Sequence, residues 1–390
     1  MTAPTTRTTF LRLTQMETLL ALPSSGRVHI PVPDPAGGPR AVLERLLLDA
    51  LTTSPCYVLF SGGRDSSALL ALATLLARRE GLPLPVPVTV RFPEVRESDE
   101  TYWQDLVMEH LRLPEHVVFR FHDEENLLGE VATSAIRRHG VVWPEAVQLH
   151  GARYRHLDPG VIISGEGGDM VLTGHRMAAL RAVAARQRPR RRTLRYGLEA
   201  ARPAFVVRAA ARRMVTQAVA PWLRPALAEE FIARVVEMSA EPLRWDTATR
   251  SAIRMHHIEL LTANFNAAIL EYGSCPVNPF LDPEFVEALA RAGGPFGWGD
   301  RTEVFRRLFA DVLPDAVLAR PTKAGFNGTR WGPREREFAR TWDGAGFDDA
   351  LIDVEQLRAG WLREDPHPSA DFLLHVAWAH SQGIPVETAP

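Results

Sequence analysis

The sequence predicts an α/β fold: a parallel sheet with helices on both faces, followed by a mainly helical C-terminal part. Three observations lead there. Short apolar runs alternate with longer helical patterns through the first half of the chain. A glycine-containing turn joins one such run directly to a helix. Beyond about residue 175 the strand signals fade and helical ones dominate.

Residues 1–38 are rich in Thr, Pro and Gly, with one apolar patch from Met16 to Leu22 and an extended piece from Arg27 to Pro31. Pro39 to Thr53 has apolar residues at Val42, Leu43, Leu46, Leu47 and Leu51, a helical spacing with proline in its first turn. Tyr57-Val58-Leu59-Phe60 is a buried strand, and Ala68 to Ala77 a helix free of Gly and Pro. Pro87 to Phe92 and His116 to Phe121 are further strands, with helices expected at Asp99–Leu113 and Glu125–His139. Pro159 to Gly165 gives a fourth strand. Strands separated by helices of this length imply parallel pairing, with ligands bound beyond the carboxyl ends of the strands.

The chain has 390 residues, of which 46% are hydrophobic and 24% charged, as in ordinary globular proteins. A formal net charge of -2 gives no reason to expect nucleic acid or an anionic membrane as partner. The two cysteines, Cys56 and Cys275, make no metal-ligand spacing, and no apolar run has signal-peptide or membrane-span length. The expected location is the cytoplasm. Arg176 to Arg213 is the one strongly biased stretch, with Arg186, Arg188, Arg190, Arg191, Arg192 and Arg195 against few acids. Because the whole chain is not basic, it is expected to be a solvated segment between helices rather than a nucleic-acid or peptide dock.

The stretch carrying the chemistry is Phe60-Ser61-Gly62-Gly63-Arg64-Asp65-Ser66-Ser67. A tight turn from strand to helix aims backbone N–H groups, and the positive end of the helix dipole, into one concavity. Gly62 and Gly63 remove Cβ atoms that would hold a phosphate off the backbone. Ser61, Ser66 and Ser67 add hydroxyl donors, and Asp65 offers a carboxylate to a metal ion. No G-x-x-x-x-G-K-[ST] is present. A second glycine-rich turn, Ser164-Gly165-Glu166-Gly167-Gly168-Asp169, closes the fourth strand and places two carboxylates three residues apart.

The pattern S-G-G-x-D-S-S resembles the pyrophosphate loop of the ATP pyrophosphatase superfamily. With the second turn, it is similar to the synthetase domain of glutamine-dependent asparagine synthetase, whose second motif reads S-G-E-G-[AS]-D-E. Asn278-Pro279-Phe280-Leu281-Asp282 resembles that family's P-F-L-D segment, and Arg320-Pro321-Thr322-Lys323-Ala324-Gly325-Phe326 its R-x-K-x-x-F stretch. The four motifs fall in the family's order. The resemblance implies an adenine nucleotide alpha hydrolase-like fold, with a synthetase domain over residues 51–390 after an N-terminal extension over 1–50. Within it, 51–185 would be the nucleotide-binding part and 186–390 the helical part that contributes Lys323.

It also implies residue roles. ATP would be held by Phe60, Ser61, Gly62, Gly63, Asp65, Ser66, Ser67, Val90, Ser164 and Gly165. Asp65 and Asp169 would hold Mg²⁺, Lys323 would face the charge developing on the phosphates, and Glu166 would accept a proton from the incoming nitrogen. The expected activity is that of an AMP-forming carbon–nitrogen ligase acting on a small-molecule or peptide carboxylate, in specialised or peptide natural-product biosynthesis.

Departures from the family are informative. Position 2 is Thr rather than a nucleophilic Cys, and about fifty residues precede the phosphate-loop strand, too few for a glutaminase domain. The expected nitrogen source is therefore free ammonia, an amine, or a separate ammonia-supplying or peptide-processing protein. Met170 stands where the family has a second acid, and Thr173-Gly174-His175 replaces its G-G-Y, so the acceptor stays open. Lasso-peptide cyclases and β-lactam synthetases share the synthetase fold, and a ring-closing reaction is an alternative. The β-lactam branch has Tyr at the position of Glu166. A tRNA-modifying ATP pyrophosphatase and a non-catalytic ATP-binding protein are alternatives of other classes. Arg91, His122, Trp143 and His175 lie near strand ends or motifs and are further candidates to line a pocket.

Overall fold

The structure, a computed structural model, describes residues 9–173, 202–239 and 241–390. His175 and the arginines from Arg186 to Arg195 lie outside the described residues.

Five strands form one parallel sheet in the order β3-β2-β1-β4-β5. They are β1 Cys56–Leu59, β2 Val86–Arg91, β3 Val117–Arg120, β4 Val161–Ile163 and β5 Cys275–Val277. The first four were legible as apolar, β-branched runs. The fifth was not, and it adds one short strand to the mainly helical part beyond residue 175, where strand signals fade. It is three residues long with Pro276 at its centre, which donates no hydrogen bond and suits only an edge strand. Its Cys275 N–H donates to Gly160 O at 2.7 Å, and Val277 O accepts from Ser164 N–H at 2.9 Å.

Alternate residues of the strands face opposite layers. Val58, Phe60, Val161 and Ile163 join one buried cluster, while Tyr57, Val88 and Ile162 join another. After a short first helix, α1 (Gln15–Leu20), the first layer holds α2 (Pro39–Leu51), α3 (Arg64–Glu80) and α4 (Thr101–Leu111), with helices Pro283–Gly293 and Arg301–Phe309. α3 is buried almost along its whole length, which explains its run of Ala and Leu. The second layer includes the helix His256–Glu271, so both faces of the sheet are covered.

A further helical core lies toward the C-terminus around Trp342, Trp361 and the helix Ser369–Ser381. The helix expected from Glu125 starts later, as α5 (Glu130–His139). Residues before it are tied elsewhere: Leu127 N–H donates to Arg330 O and Leu128 N–H to Glu335 Oε1. Among the described residues, no helix is long and apolar enough to cross a membrane.

The order of the sheet positions the site. From β1 the chain moves outward to β2 and β3, then returns to the other side of β1 as β4. The turns after β1 and β4 therefore leave neighbouring strands at the point where the direction of winding reverses, the crevice where open α/β sheets bind ligands.

Candidate active site

The two glycine-rich turns face each other across that crevice. In the first, Ser61 N–H donates to Ser66 Oγ at 3.2 Å, Ser66 Oγ–H donates to Gly63 O at 3.2 Å, and Gly63 N–H donates to Ser61 Oγ at 3.3 Å. The hydroxyls thus brace the turn as well as border the space above it. Gly62 has φ +85°, which favours glycine, and an added Cβ would sit 3.0 Å from Gln104 Cγ. α3 begins at Arg64, directly after the turn.

In the second turn, a Cβ on Gly165 would lie 3.1 Å from Ser66 N, and one on Gly168 only 2.3 Å from Asp65 Oδ1. Gly167 has φ +83° and presses on Leu281. The glycines therefore permit the two turns to touch, and Leu281 of the Asn278–Asp282 segment supports the second from behind. Asp282 caps the helix Pro283–Gly293 by accepting from Glu284 N–H at 2.9 Å and Phe285 N–H at 3.1 Å. That motif builds the site's frame.

Between the turns lies a cavity of about 390 Å³. Ser61, Gly63, Asp65, Ser66, Ser164, Gly165, Glu166, Asp169 and Lys323 all line it, which brings most of the sequence-chosen residues together. Gly62 and Ser67 are not among its lining residues. The Gly62 backbone turns toward Gln104, and its carbonyl accepts from Arg320 Nη1 at 2.8 Å. Ser67 is wholly buried, and its hydroxyl has no hydrogen-bond partner. Phe60 and Val90 line an adjoining cavity of about 260 Å³, together with Val88 and Phe92 on its apolar side and Glu125, His150, Arg153 and Arg330 on its polar side. The two cavities share Leu59, Ser61 and Phe326. Arg91 pairs with Gln104 and Asp105, His122 with Glu94, and neither they nor Trp143 borders the larger cavity.

Charge in the cavity is concentrated on one spot. Arg301 Nη2 lies 2.6 and 2.7 Å from the two oxygens of Asp65 and 2.9 Å from Asp169 Oδ1. Lys323, on the exposed loop after Arg320, forms an ion pair with Asp169 from the other side. Burial pushes the Asp65 carboxyl up to about 6; Arg301 opposes this and the charge of Asp169 adds to it. Partial desolvation within the cavity also raises Glu166, whose side chain stays exposed to solvent, with a contribution from Asp169. Asp169 goes the other way: burial raises it, but the Lys323 hydrogen bond and Arg301 together hold it below the usual carboxylate value.

Two carboxylates converging on one cationic atom, Arg301 Nη2, form a donor set that fits Mg²⁺. Among the described residues, no group of three or more His, Cys, Asp or Glu side chains is arranged to hold a metal ion. Mg²⁺ usually takes one or two carboxylates and fills its remaining positions with phosphate and water.

Two residues that carry the site escaped the sequence. Arg301 follows the N-cap Asp300 of its helix, and nothing local distinguishes it from a surface arginine. Glu100 makes a buried ion pair with Arg320, whose guanidinium also stacks 4.7 Å from the centre of the Trp103 ring. The pair clamps the loop bearing Lys323 against the carbonyl of Gly62.

No curated protein matches this chain. A model of the asparagine synthase family matches residues 40–371 of the 390, from α2 into the helix Ser369–Ser381. That family uses ATP to form amide bonds. The paired turns, the supporting Asn278–Asp282 segment and the loop of Lys323 all fall within the matched span, and the chain belongs to the asparagine synthase family of ATP-dependent amide-forming ligases.

Proposed function

We propose that this protein activates a carboxylate by adenylation, releasing pyrophosphate, and transfers the acyl group to ammonia or an amine. The observation that carries this reading is the convergence of the phosphate loop, Glu166, Asp169, Arg301 and Lys323 on one cavity. The phosphates of ATP would occupy that cavity, and the adenosine the adjoining one under Phe60 and Val90. In the first step a carboxylate oxygen bonds to the α-phosphorus and the bond to the β-phosphate bridge breaks. In the second, nitrogen bonds to the acyl carbon and AMP leaves, keeping one oxygen of the original acid.

Each residue has a task that its surroundings support. The turn after β1 offers backbone N–H groups and the start of α3 to the phosphates. Lys323 and Arg301 place fixed positive charge beside the departing pyrophosphate, in a site partly shielded from water. Asp65 and Asp169 would hold Mg²⁺, which when bound neutralises phosphate charge and orients the leaving group. Glu166, with its proton affinity raised, is suited to take the proton that the attacking nitrogen must lose. We place the reaction in specialised or peptide natural-product biosynthesis, with the nitrogen supplied by ammonia, by a separate partner, or by an amine of the substrate itself.

Lys323→Ala and Asp65→Asn are expected to abolish acid-dependent pyrophosphate release while leaving the circular-dichroism spectrum unchanged. Release at the wild-type rate from either variant contradicts the assignment.

A further inference from the structure

We infer that a second cavity, behind Met170, receives an apolar side chain of the acid that is activated; this rests on the adenylation reading above. The cavity is about 400 Å³, within the range of about 300–1,000 Å³ typical of small-ligand sites. Met170 lines both this cavity and the one holding Glu166 and Asp169, so the two are neighbours across a single side chain. Met238, Trp245, Ala252 and Met255 give it an apolar, adaptable wall, beside polar lining residues that include Thr249, Ser251 and His257. Its lining also carries the exposed Arg27, Arg208, Glu237 and Glu241, a mixed-charge set suited to amide groups farther along an acyl chain.

The occupant follows from the geometry. An acid held with its carboxylate beside Glu166 can direct its body past Met170, the residue that the two cavities share. A small diacid would leave the apolar wall of Met238, Trp245, Ala252 and Met255 uncovered. An N-acylated amino acid or peptide with an aliphatic or aromatic side chain fills it. Met170 offers that side chain an apolar, flexible surface between the two cavities, where an acidic residue would present charge.

The test uses the full-length protein and isothermal titration calorimetry with N-acetylphenylalanine and N-acetylalanine. The wild type is expected to bind the phenylalanine derivative about tenfold or more tightly, the usual effect of burying a large apolar side chain. Ala252→Trp and the milder Ala248→Leu, both of which fill the cavity, are expected to reduce that preference while MgATP binding is retained. Equal binding of the two acids by the wild type, or a preference unchanged in both folded variants, overturns the pocket. A parallel assay of pyrophosphate release, with hydroxylamine as acceptor, separates this from the wider reading. Preferential binding without pyrophosphate from any acid contradicts adenylation and supports the pocket; release equally fast with both acids contradicts the pocket and supports adenylation.

Discussion

Arg301 lies against Asp65, 236 positions earlier in the chain, with one guanidinium nitrogen 2.6 and 2.7 Å from the two carboxylate oxygens. The same nitrogen reaches Asp169, so one arginine supplies the counter-charge for both candidate metal ligands. Replacing it by glutamine leaves two adjacent carboxylates that attract a divalent cation more strongly. Arg301→Gln is therefore expected to bind Mn²⁺, as a paramagnetic stand-in for Mg²⁺, more tightly than the wild type in the absence of nucleotide. Electron paramagnetic resonance titration measures this directly, and an unchanged or weaker affinity contradicts the role given to Arg301.

The ion pair of Arg320 with Glu100 is buried on both sides, at 3% and 5% side-chain exposure. Removing one partner strands the other charge, which typically costs about 3–5 kcal/mol. Arg320→Met is expected to lower the unfolding free energy by that order in urea titrations, and Glu100→Gln combined with it to restore part of the loss. A single variant as stable as the wild type contradicts the clamp.

Gly168 occupies the first turn of the short helix Gly168–Val171, where alanine suits the backbone. Its added Cβ would nevertheless collide with the Asp65 carboxylate. Gly168→Ala is expected to lose MgATP binding, read by calorimetry, with little loss of helical signal. Retained nucleotide affinity would show that the two turns are not required to touch.

These residues mark what the sequence conveys and what it does not. The phosphate turn was legible because strand, glycines and helix lie within one short stretch whose local chemistry has few other uses. Lys323 was found only through the motif around it, since an exposed lysine carries no signal of its own. Arg301 and Glu100 meet their partners across more than 200 residues, and only the packing of α3, α4 and the later helices brings them there. The loop's composition points Gly62 and Ser67 at the phosphates, but the turn directs one toward Gln104 and the other into the core. Strand β5 escaped because three residues centred on proline carry no alternation to read.

Asp371, in the C-terminal helical core, gives a test of the fold through pH. Burial lifts its carboxyl from an ordinary 3.8 to about 7; Glu145 adds to the rise, while Arg330 and the Trp331 indole N–H oppose it. Between pH 4 and pH 7 the folded state thus keeps a proton that the unfolded state has lost, so this group's contribution falls as pH rises through that window. Asp371→Asn keeps an oxygen for the Trp331 N–H and has no charge to bury. It is expected to be more stable than the wild type at pH 8 by about 1–3 kcal/mol, with the difference vanishing near pH 4. Chemical denaturation of both proteins across that range measures it, and a difference that does not change with pH contradicts the burial argument.

The central claim is that the substrate's carboxylate oxygen attacks the α-phosphorus of ATP in the cavity between the two glycine-rich turns. Supplying the acid with both carboxylate oxygens as ¹⁸O and weighing the spent nucleotide by mass spectrometry tests it directly. The account predicts AMP carrying one ¹⁸O atom, formed together with unlabelled pyrophosphate. Unlabelled AMP, or ADP with the label in inorganic phosphate, would contradict it.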